Sequence, residues 1–74
     1  MRLIELRKLL PLRNEVGEIY KWEEENVLLS PLQVQRVGYE KNLGQTVVRL
    51  VNGEQMIVED TTKTFNRKFN EATT

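Results

Sequence analysis

The chain has 74 residues, no cysteine, no histidine, and eleven basic side chains against eleven acidic ones. That length makes residues 1–74 one domain, near the lower limit for folding without disulfides or metals. The composition excludes a disulfide framework, a thiolate metal site and any mechanism that needs an imidazole base. No apolar run is long enough to span a bilayer and no signal-peptide pattern opens the chain, so a cytoplasmic protein with no membrane association is expected.

Residues 1–10 carry Leu3, Leu6, Leu9 and Leu10 at helical spacing, yet Leu3-Ile4-Glu5-Leu6-Arg7 also suits a strand and no cap precedes it. A strand that stops before Pro11 is the preferred reading, with Arg13-Asn14-Glu15 as a connection. Residues 16–22 look extended, with Val16, Tyr20 and Trp22 on one parity. Glu23-Glu24-Glu25-Asn26 reads as a polar turn. Val27-Leu28-Leu29 follows as a short strand, cut by Ser30-Pro31.

From Leu32 to Tyr39 the apolar alternation slips by one around Gln35-Arg36, which a β-bulge would absorb. Residues 40–45 are rich in turn formers. Thr46-Val47-Val48-Arg49-Leu50-Val51, Asn52-Gly53 and Glu54-Gln55-Met56-Ile57-Val58 then give the strongest local signal in the chain, two β-branched runs around an Asn-Gly turn. A two-residue loop would pair Val51 with Glu54, Arg49 with Met56 and Val47 with Val58, leaving Val48 and Ile57 on the other face. Both faces would be partly apolar, so Val47, Arg49, Val51 and Met56 form a candidate protein-interaction surface.

Residues 60–72 change period to a short helix with Asp60 as N-cap, and Phe65, Phe69 and Ala72 on one stripe. Burying the two phenylalanines is worth roughly 1.5–3 kcal/mol each. Lys63, Arg67 and Lys68 lie off that stripe and, with Arg36, are candidate nucleic-acid contacts. Stacking of Tyr20, Trp22 and Tyr39 on bases is the weaker reading, because their parity suits the core and nearby glutamates repel phosphate.

Reaction chemistry is absent. The only serine, Ser30, precedes a proline and has no base to activate it. The glutamates at 23–25 diverge along the backbone and lack the spacing of a calcium loop, and the glycines form no phosphate cradle. No catalytic residue, metal ligand or cofactor site is assigned.

Leu28-Leu29-Ser30-Pro31, Val34 to Val37, the Asn52-Gly53 hairpin and Ile57-Val58-Glu59-Asp60 resemble, from Val27 onward, the small FlbD-type proteins associated with bacterial flagella and swarming. That resemblance implies a regulatory protein working by contact. Val48-Arg49-Leu50-Val51-Asn52-Gly53 with Phe65-Asn66-Arg67-Lys68-Phe69 is similar to the end of LytTR-type DNA-binding domains, which implies DNA binding. Residues 1–26 follow neither pattern.

The expected fold is α+β, a small, largely antiparallel sheet of about five short strands with one C-terminal helix. Its expected core is Ile19, Tyr20, Trp22, Leu28, Val34, Val48, Ile57, Phe65 and Phe69. The expected role is a non-catalytic regulatory module that binds another protein and forms a homo-oligomer. The alternatives are a nucleic-acid-binding regulator and a structural subunit of a phage or flagellar assembly.

Overall fold

The computed structural model describes residues 2–74, so Met1 of the first predicted segment lies outside the described residues. Five antiparallel strands and one helix form an α+β fold. The strands are β1 (Ile4–Arg13), β2 (Ile19–Leu29), β3 (Val34–Glu40), β4 (Gln45–Leu50) and β5 (Gln55–Val58), followed by α1 (Thr62–Thr73). Their order across the sheet is β2-β1-β5-β4-β3. A short 3₁₀ helix (Pro31–Gln33) joins β2 to β3, with Ser30 and Gln33 forming a reciprocal capping box.

The core lies between one sheet face and α1. Ile4, Leu6, Leu29, Val48, Leu50, Val58, Phe65 and Ala72 form one buried cluster, with Val27, Val34, Val37, Met56 and Phe69 packed at its edge. The helix presents Phe65 and Phe69 as a stacked pair, ring centroids 6.2 Å apart. Arg2 N–H donates to the Ala72 carbonyl, fixing the end of α1 beside β1.

Several expectations are corrected. β1 does not stop before Pro11 but runs to Arg13. Beyond its single assigned pair with β5, Lys8 with Val58, β1 pairs only with β2, so it has a free side there. That is the edge setting in which a missing N–H is tolerated. The residues at 23–26 are not a turn: β2 continues through them for eleven residues, with Glu25 opposite Lys8 and Glu24 opposite Leu9. The turn falls earlier, and Val16 within it is 75% exposed.

The Asn-Gly hairpin exists, but its register is shifted by one. Leu50 N–H donates to the Glu54 carbonyl and Gly53 N–H to the Leu50 carbonyl, giving a three-residue loop at 51–53. Only Gly53 in it has positive φ, +92°, so Asn52 stays in ordinary backbone space. Val48 therefore pairs with Met56 and Thr46 with Val58. A one-residue slip exchanges the two faces of a strand. The observed register buries Thr46, Val48, Leu50 and Val58, whereas the alternative would have set Arg49 beside Val47 and Met56 on one face.

Of the expected core, Val48 and Phe65 are buried and Val34 and Phe69 pack against it. Ile19, Trp22 and Ile57 are half-buried elsewhere, while Tyr20 and Leu28 are exposed. The apolar residues of β1 take their place, because β1 is the second strand of the sheet and runs beneath α1. The N-cap is Thr61, not Asp60: its hydroxyl accepts from Thr64 N–H at 3.1 Å. The bulge near Gln35 is present, since the β3–β4 register shifts between Val34 and Arg36.

Phe65→Ala is expected to cost about 3–5 kcal/mol, because it leaves a cavity under the helix. Tyr20→Ala should change stability by less than about 0.5 kcal/mol. Urea unfolding of both variants checks this; equal losses would place the core elsewhere.

Candidate interaction surfaces

Alternation along β4 puts Val48 and Leu50 in the core and therefore Val47 and Arg49 on the face away from α1, together with Ile57 and Gln55. Met56 points to the opposite, helix-covered face, and Val51 sits in the turn, 63% exposed. The four residues expected to form one surface are thus divided among two sheet faces and a loop. The outer face has its own buried point. Leu9 is 5% exposed yet outside the main cluster, and its alternation with Leu6 and Lys8 sets it on this face.

The nucleic-acid candidates are also separated. Lys68 is consumed inside the fold: its ammonium lies 2.6 Å from Asp60 Oδ2 and donates to the Glu5 carbonyl at 2.9 Å. The Asp60 carboxylate also accepts from Arg7 N–H at 3.3 Å, so this clasp ties α1 to the β5–α1 connection and to β1. Lys63 and Arg67 are exposed, four residues apart on α1. Arg36 sits across the sheet, directly opposite Arg49 on the face away from the helix. No common basic face gathers these four groups.

What sequence reasoning missed is the length of the first hairpin. Past Lys8, residues 9–13 pair with residues 19–24 and with no other strand, forming a two-stranded arm. The arm accounts for the elongated outline of 45 × 22 × 21 Å. Its tip is a three-residue loop like the one at 51–53. Asn14 N–H donates to the Glu18 carbonyl, Gly17 N–H to the Asn14 carbonyl, and Gly17 takes φ +86°. The Asn14 side chain accepts from the N–H groups of both Val16 and Glu18 at 3.0 Å. An Asn followed three residues later by Gly, between two apolar-rich runs, was the available signal.

Register places Leu10 opposite Glu23 and Leu12 opposite Lys21 on one face of the arm, with Pro11 opposite Trp22 on the other. A bulge between Leu12 and Arg13 leaves Tyr20 without a partner and 67% exposed. Leu10, Pro11, Leu12, Ile19 and Trp22 are all only half-buried. A ribbon of two strands with apolar groups on both faces is marginal alone in water and gains most by being covered.

The cleft of about 290 Å³ beside Asp60 is rimmed by Glu5, Arg7, Glu59 and Lys68, whose charges mostly meet one another, Arg7 reaching Glu59 at 3.4 Å and Glu24 at 3.6 Å. Ser30 acts as a cap, its hydroxyl accepting from Leu32 N–H. Among the described residues no group of three or more acidic side chains is placed to hold a metal ion, and no helix is long and apolar enough to cross a membrane. Comparison with family models, with curated proteins and with solved structures finds no match.

Asp60→Ala is expected to destabilise the fold by about 2–3 kcal/mol, since it takes from the half-buried Lys68 ammonium one of its two acceptors and from the Arg7 N–H its carboxylate acceptor. Arg67→Ala should stay within about 0.5 kcal/mol. Thermal unfolding distinguishes the two, and equal effects would contradict the clasp.

Proposed function

We propose that the protein is a non-catalytic interaction module that acts by binding another protein and by self-association. The observation that carries this reading is the β1–β2 arm, half-buried apolar groups on both faces of an otherwise unsupported ribbon. Its β2 strand adds the exposed Glu23 opposite Leu10, so the complementary protein surface is an apolar groove with a basic group at its rim. The chain's lack of histidine and cysteine agrees with action through shape rather than reaction. The FlbD-type likeness from Val27 onward points to the same class, a regulator working by contact. A subunit of a phage or flagellar assembly would use the same arm. No observation favours the nucleic-acid reading, because Lys68 is tied to Asp60 and Arg36 lies on the face opposite the helix.

The test compares the wild-type chain with a Leu12→Ser/Trp22→Ser variant in quantitative cross-linking and capture from nuclease-treated native lysate. The wild type should retain a discrete protein partner that the variant loses at least tenfold, while the far-UV spectrum of the variant keeps its sheet and helix. Retention of that partner by the variant would contradict the role of the arm. Capture dependent on nucleic acid, with affinity falling steeply with salt, would replace this reading by the alternative.

A further inference from the structure

β3 is an edge of the sheet, so one side of its backbone has no strand partner. Past the bulge at Gln35, it reads Arg36, Val37, Gly38, Tyr39 and Glu40. Three features of this segment suit contact with a second chain. Arg36 is directly opposite Arg49, a like-charge cross-strand pair that disfavours the monomer, and neither guanidinium has a carboxylate within ion-pair distance among the described residues. Tyr39 alternates onto the helix side of the sheet yet is 64% exposed. Gly38 sits mid-strand without positive φ, and a Cβ there would meet nothing within 4 Å. Glycine weakens a strand interior and occurs at bulges, at bends and where another backbone comes close.

We infer that β3 is a self-pairing edge, joining two copies of this chain antiparallel about a two-fold axis at Gly38 into one continuous ten-stranded sheet. This rests on the self-association proposed above and names its surface. The two-fold sets Gly38 against Gly38 of the second copy. It sets Arg36 opposite Glu40 twice, supplying the carboxylate that the arginine pair lacks. On the helix side it sets Val37 opposite Tyr39 twice, an apolar–aromatic cross-strand pair. Sheet pairing about such an axis requires opposed residues to share a face, so the register moves in steps of two. A slip either way sets Arg36 or Glu40 opposite Gly38 and loses both ion pairs. The other edge, β2, sets Lys21 opposite Glu23 of a second copy only about a two-fold at Trp22. Any two-fold placed within residues 23–25 opposes a glutamate with its own copy, a charge device that discourages edge pairing. Only a few residues pair at β3, so the dimer is weak and concentration-dependent.

The experiment is sedimentation of the full chain from roughly 10 µM to 1 mM, a range that brackets a weak dimer. The wild type should shift from monomer to dimer. Arg36→Glu and Glu40→Arg should each weaken the dimer at least tenfold, and the double variant R36E/E40R should restore it, because the swap re-forms both cross-dimer pairs. Arg36→Glu also removes the repulsion with Arg49, so it should hold or raise monomer stability in urea while weakening association. A wild-type chain monomeric throughout overturns both the self-association and this surface. A wild-type dimer unchanged by either single variant, or a double variant no better than the singles, overturns the β3 surface and leaves self-association to another face.

Discussion

Twelve residues of α-helix extend about 18 Å, whereas the eleven-residue β2 extends about 36 Å. That mismatch is the constraint on which the rest of this molecule depends. One helix can cover only part of so long a hairpin. Phe65, Phe69 and Ala72 seal the end of the sheet that holds Ile4, Leu6, Leu29, Val48, Leu50 and Val58. Beyond the buried Leu9, the far halves of β1 and β2 leave the core as a ribbon of half-buried and exposed side chains. In a chain this small the apolar groups of that ribbon represent stabilisation left unrealised, which is the physical reason for placing an interaction there.

The helix is held by a few specific contacts rather than by a broad interface. Thr61 caps its start, Arg2 meets its last turn, and the Asp60–Lys68 pair locks its middle to the β5–α1 connection and the Glu5 carbonyl. A half-buried cation is costly unless its donors are used, and Lys68 meets that condition at two acceptors. The same bonds remove it from any outward role. At the opposite edge the balance reverses: Arg36 on the open strand β3 faces Arg49 of β4 with no carboxylate at ion-pair distance. The molecule thus has a satisfied charge cluster where it folds and an unsatisfied one where another chain can reach it.

The α+β class, the bulge at Gln35, the Asn-Gly hairpin and the phenylalanine helix were all legible, because each depends on neighbours close in sequence. The hairpin register was not. A two-residue and a three-residue loop both suit Val51-Asn52-Gly53, and the choice is made by tertiary burial of Val48, Leu50 and Val58, which local propensity does not contain. That one-residue difference divided the expected surface of Val47, Arg49, Val51 and Met56. The arm was obscured by chemistry that usually signals interruption. Pro11 and three consecutive glutamates look like breaks, but both are admissible where a strand has an open side. Lys68 lies off the apolar stripe like a cation free for an outside contact, and only the fold reveals that Asp60 holds it.

The dependence on helix cover is tested most directly by native-state amide hydrogen exchange, residue by residue, along β1 and β2. Hydrogen-bonded amides in residues 4–8 and 27–29 should exchange only with global unfolding. Those in residues 9–13 and 19–24 should open at clearly lower free energy in the isolated chain. Uniform protection along both strands would contradict it, because the ribbon would then need no partner to be stable.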